Sequence, residues 1–213
     1  MSGGPEPLPP EKFRGLLRRE LPRWSLTASD DAALDRLSIF LAELDRWRAQ
    51  INLTGRLSAA ELVSHTLESV LAEHLLPGGA RVIDIGTGGG FPGVPLAIWR
   101  PDLEMTWLEP RKKRAAFLRH VVRTIPVTNA TVREARREDL PAESFEYATS
   151  RGVKFDPRAV GRAPFLQPGG AWLLWTTASG GPAGELAPAG LRLETTIPIP
   201  GSRERAIRVF RKA

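Results

Sequence analysis

The stretch VIDIGTGGGFPG, residues 82–93, decides the fold. It begins with an apolar run and continues into four glycines, at 86 and 88–90, which predicts a buried strand that leads into a glycine loop. A helix is predicted to begin near Pro92. Because glycine has no Cβ, such a loop can turn sharply and bring its backbone against a ligand. A strand, a glycine loop and a helix in this order are typical of nucleotide-type cofactor sites in doubly wound sheets.

A second apolar run ends in a carboxylate. Met105, Trp107 and Leu108 precede Glu109, which follows Gly86 by about 23 residues. In doubly wound folds an acidic residue at the end of the second strand accepts hydrogen bonds from a ribose diol. The spacing therefore predicts that Glu109 holds the ribose of the cofactor.

The glycine spacing also distinguishes between cofactors. A dinucleotide site requires G-x-G-x-x-G, and Phe91 stands where the third glycine would be. Asp84 lies two residues before Gly86, and a carboxylate there suits a cationic ligand better than a diphosphate. S-adenosylmethionine carries an ammonium group and a sulfonium and has no phosphate. The sequence therefore favours S-adenosylmethionine, with Asp84 as a candidate ligand; a nicotinamide or flavin site and a turn without ligand are the alternatives.

The composition fits one domain of ordinary size with a small extension. The chain has 213 residues, of which 42% are hydrophobic, enough to bury a sizeable core. No apolar run reaches the ~20 residues that span a bilayer, and residues 1–13 lack the pattern of a signal peptide. We therefore expect no membrane contact and a cytoplasmic location.

Missing residue types exclude several chemistries. The chain has no cysteine, which excludes a cysteine nucleophile, a cysteine-bound zinc and an iron–sulfur cluster. The three histidines, His65, His74 and His120, do not have the spacing of metal ligands. We therefore expect no metal.

The net charge of +6 is unevenly distributed along the chain. Residues 1–80 contain nine Lys or Arg against eleven Asp or Glu, whereas residues 81–213 contain 21 against 13. A basic surplus around the cofactor motif is the electrostatic pattern expected for a polyanionic substrate such as nucleic acid. A charged surface that serves only solubility is the alternative.

The spacing of apolar residues divides the chain in two. Up to Pro77 this spacing is helical, with a stripe from Leu34 to Trp47 and a capping box at residues 58–61. From Arg81 onward strands alternate with helices, which is the signature of a parallel sheet. Strands are predicted near residues 81–85, 104–109, 130–133, 145–149, 170–175, 191–197 and 205–211, the clearest helix at 111–124, and a turn at 167–170.

These elements predict an α/β fold of the Rossmann-like class I methyltransferase type. The last two predicted strands are joined by residues 198–202, a connection too short for a parallel crossover. We therefore expect a seven-stranded, mostly parallel sheet with an antiparallel C-terminal hairpin. The predicted parts are an N-terminal helical extension, residues 1–76, and a methyltransferase domain, residues 77–213.

Several motifs along the chain resemble those of a single protein family. The extension Phe91-Pro92-Gly93 makes the glycine loop much more specific than a bare G-x-G-x-G. The other motifs are Asn52-Leu53-Thr54, His65 with Glu68-Ser69, residues 82–97, Arg100-Pro101, Lys113-Arg114, Phe117-Leu118-Arg119, Arg136 with Glu138-Asp139, Thr149-Ser150-Arg151, Pro200-Gly201, Glu204-Arg205 and Arg211-Lys212. Over about residues 52–152 and 198–213 the chain thereby resembles the bacterial guanine-N7 methyltransferases of small-subunit (16S) ribosomal RNA, also called the glucose-inhibited division protein B family.

The resemblance implies a role for each matching position. Gly86, Gly88 and Phe91 would line S-adenosylmethionine, and Glu109 would hold its ribose. Arg137 and Glu138 would contact the adenine. Arg151 would contact the cofactor and, as the catalytic residue, the methyl-transfer centre. The residues implied to contact the RNA are Asn52, His65, Arg114 and Arg205.

The implied reaction is methylation of guanine N7 in 16S ribosomal RNA, with the RNA or the small ribosomal subunit as partner and a monomeric enzyme. Methyl transfer from a sulfonium is an in-line displacement, in which the enzyme holds the nucleophile near attack distance. Guanine N7 is already a lone-pair acceptor. We therefore expect a site without a poised general base.

Four positions differ from the family pattern. Gly152 stands for an alanine, Ala206 for a histidine and Glu68 for an aspartate, and Thr176 lies in a run that replaces a lysine. The cofactor positions keep the pattern, whereas several polar positions on the substrate side do not. A paralogue with another methyl acceptor and a non-catalytic S-adenosylmethionine-binding module are therefore the alternatives.

Overall fold

The structure is a computed structural model that describes residues 6–28, 30–152, 163–177 and 190–213. Its strands are β1 (Arg81–Ile85), β2 (Glu104–Leu108), β3 (Ala130–Arg133), β4 (Phe145–Arg151), β5 (Leu166–Thr177), β6 (Leu191–Pro198) and β7 (Arg205–Lys212). Its helices are α1 (Pro10–Glu20), α2 (Asp31–Arg48), α3 (Ala59–Val70), α4 (Gly93–Trp99) and α5 (Lys112–Thr124), with short 3₁₀ turns at Leu21–Trp24, Glu73–Leu75 and Arg137–Asp139. All seven predicted strands and the helix predicted at 111–124 are confirmed, with ends that differ by a few residues.

Local sequence signals define where the N-terminal helices begin. The carboxylate of Asp30 accepts a hydrogen bond from the Ala33 amide (2.6 Å) and caps α2. Ser58 and Glu61 form the expected capping box of α3, since each side chain bonds the backbone amide of the other residue. The apolar stripe of α2 is buried and packs into the core.

The strands form one sheet in the order β3-β2-β1-β4-β5-β7-β6. Strands β1 to β5 run parallel to their neighbours among themselves, and β7 is antiparallel to both β5 and β6. Strand order reverses between β1 and β4, and ligands of doubly wound sheets bind outside the carboxyl ends of the strands at such a point. The expected class I fold with its antiparallel C-terminal hairpin is confirmed.

The predicted turn at residues 167–170 is wrong, because these residues lie within β5. The register of β5 against β4 shifts, so that Leu166 pairs with Phe145 but Ala171 pairs with Tyr147. Gly169, with φ 75°, supplies a backbone conformation that suits such an irregularity. The proline and glycines here therefore mark a bulge inside the strand and not its beginning.

One hydrophobic core joins the N-terminal helices to the sheet. Phe13 of α1 and Phe40 of α2 belong to the same buried cluster as Trp107 of β2 and Trp175 of β5. The cluster is thus continuous across residues 76 and 77. The division of the chain at that point stays a prediction.

Two kinds of feature are absent from the described residues. No helix among them is both long and apolar enough to cross a membrane. No three His, Cys, Asp or Glu side chains among them are grouped so that they could hold a metal ion.

Candidate active site

A cavity of about 320 Å³ lies at the carboxyl ends of β1 and β4. Its volume is in the range of small-molecule sites. The lining comes from five segments: the loop of residues 52–57, helix α3, the glycine loop (residues 86–90) with Phe91, helix α5 and the end of β4. Of the residues predicted for the site, the cavity brings together Asn52, His65, Gly86, Gly88, Phe91, Arg114 and Arg151.

The glycine loop forms one side of the cavity and is held by backbone hydrogen bonds, within the loop and to β2. The amide of Gly86 donates to the carbonyl oxygen of Leu108 (2.8 Å), and that of Gly90 to the carbonyl oxygen of Thr87 (2.8 Å). Gly90 has φ 101°, and a Cβ there would lie 2.8 Å from the ring of Phe40. Only glycine fits this position, because both backbone conformation and packing exclude a side chain.

Glu109 is buried directly after β2. Its Oε2 accepts a hydrogen bond from the Gly88 amide (3.0 Å) and its Oε1 one from the Arg111 amide (2.9 Å). Each carboxylate oxygen has a further lone pair, so the group can still accept hydrogen bonds from a diol. The structure thus places this carboxylate against the glycine loop, and its contact with a ribose stays a prediction.

Asp84 is fully buried in β1. Its Oδ1 accepts a hydrogen bond from the hydroxyl of Thr149 on β4 (2.9 Å), and its Oδ2 one from the amide of Gly93 at the start of α4 (3.1 Å). Burial raises the pKa of Asp84 to about 7, although these hydrogen bonds favour the charged form. Asp84 therefore ties β1 to β4 and α4, and its contact with the cofactor stays a prediction.

The loop of residues 52–57 lies directly on the glycine loop. A Cβ on Gly89 would come within 2.7 Å of Thr54 Cγ2. Arg114, in the first turn of α5, donates from Nη2 to the carbonyl oxygen of Asn52 (2.9 Å). Arg114 therefore holds this loop beside the glycine loop, and the contacts of Asn52 and Arg114 with RNA stay predictions.

A second side of the site is the arginine cluster, which consists of His65 and Glu68 on α3, Arg151 at the end of β4 and Arg205 at the start of β7. Glu68 is fully buried, and each of its carboxylate oxygens faces one arginine. Oε2 lies 2.9 Å from Nη2 of Arg151, and Oε1 contacts Nη1 of Arg205. The indole of Trp175 donates to the carbonyl oxygen of Glu68 (3.0 Å), which ties α3 to β5.

His65 lies half-buried on the cavity wall. Its ring meets that of Phe91 edge-on, with centroids 5.8 Å apart. Burial, together with the positive charges of Arg151 and Arg205, lowers the pKa of His65 to about 4. His65 is therefore neutral at pH 7 and can both donate and accept a hydrogen bond.

Arg137 and Glu138 lie in the 3₁₀ turn that follows β3. The Nη2 of Arg137 donates to Oε1 of Glu138 (3.2 Å). Within the described part of the chain, neither residue belongs to the lining of the cavity. Their contact with the adenine stays a prediction.

The sequence predicts no site role for Phe40 or for Thr149, although Thr149 lies in one of its motifs. Phe40 belongs to an ordinary apolar helical stripe, and its contact with Gly90 exists only once α2 packs on the glycine loop. Thr149 bonds Asp84 because β1 and β4 pair in a register that places the two residues side by side. The signals that could have found Thr149 are its motif, Thr149-Ser150-Arg151, and its place in a correctly predicted strand.

Comparison with known proteins matches this chain to one family. The family model described as rRNA small subunit methyltransferase G matches residues 33–179. A protein named ribosomal RNA small subunit methyltransferase G from Desulfotalea psychrophila is 41% identical over 130 residues, which cover 58% of this chain and 60% of that protein, less than two thirds of its length. The protein of the same name from Xanthomonas axonopodis pv. citri is 38% identical over 206 residues, which cover 92% of this chain and 93% of that protein.

The fold has counterparts among solved structures. A crystal structure of a S-adenosylmethionine-dependent methyltransferase from Aquifex aeolicus matches with a TM-score of 0.55 and covers 68% of this chain and 89% of that one. At 16% identity this likeness shows the fold alone. None of these findings favours a paralogue with another acceptor or a non-catalytic binding module.

Proposed function

The chain belongs to the rRNA small subunit methyltransferase G family, and on this premise we propose that it transfers the methyl group of S-adenosylmethionine to N7 of a guanine in 16S ribosomal RNA. The predicted family and the predicted class of enzyme, an S-adenosylmethionine-dependent methyltransferase, are confirmed. The family match carries the proposal, because residues 33–179 contain both the glycine loop and most of the arginine cluster.

The glycine loop and the neighbouring carboxylate of Glu109 support S-adenosylmethionine as the ligand of the cavity. A Cβ on Gly88 would stand 3.5 Å from Arg114 Nη1 and 3.9 Å from Glu109 Oε2, so glycine keeps open the space beside this carboxylate. When bound, the cofactor supplies an electrophilic methyl group on a sulfonium. We propose that Glu109 binds the ribose of the cofactor and that Gly86, Gly88 and Phe91 line the cofactor. Asp84, Arg137, Glu138 and Arg151 complete the proposed cofactor site.

The residues of this chain have to position the reacting groups and need not remove a proton. Guanine N7 has a free lone pair, so transfer requires alignment with the methyl group at near-attack distance. Arg151 lines the cavity at the end of β4 and is the proposed catalytic residue, since it would touch the reacting base. His65 is neutral and offers hydrogen bonds to the base without adding charge.

The proposed partner is ribosomal RNA, alone or within the small subunit. The surplus of Lys and Arg over Asp and Glu in residues 81–213 favours a polyanion. We assign Asn52, His65, Arg114 and Arg205 to RNA contacts and the helices within residues 11–75 to docking of folded RNA. An RNA target of this kind also favours the cytoplasm, and we propose a monomer that needs no metal.

The test is transfer of a labelled methyl group from S-adenosylmethionine to small ribosomal subunits isolated from cells that lack this gene. Mass spectrometry of the digested RNA is expected to show one new N7-methylguanine. The matched control is Gly86→Asp, which places a side chain in a position with φ 71° and should abolish transfer. Subunits that stay unmodified with the wild-type protein would refute the assigned substrate.

A further inference from the structure

We propose that Glu68 is a positioning residue for the proposed methyl transfer. It holds the guanidinium of Arg151 so that this group donates a hydrogen bond to O6 of the target guanine, beside the N7 that receives the methyl group. The inference rests on the proposed function and adds to it how guanine is selected.

Glu68 is placed to orient both arginines at once. Its side chain is 1% exposed, and its two oxygens face Arg151 and Arg205 from β4 and β7. The contact with Arg151 is 2.9 Å long but departs from hydrogen-bond direction, so the attraction is mainly ionic. A buried carboxylate between two cations fixes their positions, because leaving either charge without its counter-ion in the interior is costly.

The position of Glu68 is itself fixed by the fold. Its backbone carbonyl accepts the indole N–H of Trp175 from β5, and α3 is buried along this face. Movement of the carboxylate would therefore require movement of α3 against the sheet. The ion pair with Glu68 therefore holds the guanidinium of Arg151 in a fixed position.

Arg151 retains a hydrogen-bond donor for a ligand. Its Nη1 is buried and has no hydrogen-bond partner among the described residues, and the side chain lines the cavity. An unmade buried hydrogen bond is unfavourable, and an acceptor in the cavity would satisfy it. Guanine presents O6 and N7 as neighbouring acceptors, whereas adenine presents an amino donor in place of O6. A donor at this position therefore selects guanine.

The charge of Glu68 also suits the reaction. Methylation of N7 brings a positive charge onto the base, and two unopposed arginines nearby would disfavour it. Glu68 offsets one of the two positive charges. The arginine next to the base can then donate a hydrogen bond with less electrostatic opposition to the product.

The experiment compares Glu68→Gln, which keeps the shape and removes the charge, with Glu61→Gln, the same change at an exposed position of the same helix. Single-turnover transfer to unmodified small subunits, affinity for S-adenosylmethionine by calorimetry and the melting temperature are measured for each. We expect Glu68→Gln to slow transfer by at least about 30-fold, because misplacement near the reacting atoms is costly, with cofactor affinity within about threefold. Glu68→Asp should recover part of the rate. Glu61→Gln should keep the wild-type rate and cofactor affinity, because glutamine also serves at this position of the capping box, and only its melting temperature should fall slightly.

The role of O6 is tested on small subunits in which the guanine that mass spectrometry identifies as the methylation site is replaced by 2-aminopurine. This base keeps N7 and lacks O6. Wild type should lose about as much rate as Glu68→Gln loses on guanine, and Glu68→Gln should lose little more. If the base change and Glu68→Gln slow transfer independently, so that their fold-losses multiply, the proposed hydrogen bond is overturned. A folded Glu68→Gln protein with wild-type rate, or a loss of cofactor affinity as large as the loss of rate, would overturn positioning by Glu68. Inactive wild type would refute the proposed function and this inference with it.

Discussion

The glycine loop and the arginine cluster border the same cavity but are built in opposite ways. The glycine loop is one short stretch of backbone, fixed by hydrogen bonds between main-chain atoms, by the bond of the Gly88 amide to Glu109, and by packing that leaves no room for a Cβ at Gly89 or Gly90. The arginine cluster is made of side-chain charges from α3, β4 and β7, and a single buried carboxylate holds it together. One side therefore depends on shape and the other on charge.

The difference predicts how each side responds to change. A substitution in the glycine loop meets a fixed backbone that cannot yield, so it should act on folding and on cofactor binding together. A substitution in the arginine cluster changes the charge and the orientation of the remaining side chains while the surrounding fold stays intact, so it should act on transfer to RNA. The strongest tests of the comparison are those that separate stability, cofactor affinity and RNA binding.

The largest effect is expected for Gly90→Ala. A Cβ at φ 101° is strained and would lie 2.8 Å from the ring of buried Phe40, so we expect a loss of roughly 2–6 kcal/mol in the free energy of unfolding. Gly55→Ala is the matched control, since Gly55 has φ 70° but nothing within 4 Å of the added Cβ. It should lose only about 1–2 kcal/mol. Denaturant titration measures both, and equal losses would mean that packing does not fix the glycine loop.

The second effect concerns the pH dependence of stability, through Asp84. Its pKa of about 7 in the folded protein exceeds its ordinary value of 3.8, so between about pH 4 and 7 the folded state binds more protons than the unfolded state. Asp84 therefore contributes a loss of stability as pH rises through this window, on the order of 4 kcal/mol, and no further change above it. Asp84→Asn should remove this contribution.

The comparison must be made between the two proteins and not within wild type alone. His65, with its pKa lowered to about 4, acts in the opposite direction, because the unfolded state binds its proton more readily between about pH 4 and 6.5. The difference in unfolding free energy between Asp84→Asn and wild type, measured from pH 4.5 to 8, isolates Asp84. A difference that does not vary with pH would show that Asp84 is ionised throughout.

The same contrast explains what the sequence could predict. The fold followed from residues 82–93 and the alternating strands, because hydrophobic period and glycine spacing are local properties. Glu109 followed from its spacing after Gly86 at the end of the second predicted strand, and the structure places its carboxylate against the Gly88 amide. The link between Glu68 and Arg205 could not be predicted, because residues so far apart along the chain meet only in the folded protein. The bulge at Gly169 was missed for a related reason, since a glycine pair looks alike in a turn and in a strand irregularity.

A smaller effect is expected for Glu109→Ala, which tests the side that binds the cofactor. Loss of the carboxylate removes the predicted acceptor for the ribose, so affinity for S-adenosylmethionine should fall by one to two orders of magnitude, about 1.4–2.8 kcal/mol. Calorimetry measures this directly, and Glu104→Ala on the exposed start of β2 serves as control. Unchanged affinity for S-adenosylmethionine would show that Glu109 does not bind the cofactor.

The smallest effect is expected for Arg205→Gln, on the side that depends on charge. The Arg205 side chain is 40% exposed, so its attraction for a phosphate is screened by solvent, and RNA affinity should fall by no more than about fivefold. The slope of log affinity against log salt concentration should decrease by up to about one, because one fewer counterion is released. Affinity for S-adenosylmethionine should stay the same, since Arg205 lies outside the described lining of the cavity. A variant that loses cofactor affinity while its salt slope is unchanged would mean that Arg205 serves the cofactor and not the RNA, and the two sides would then differ in construction alone.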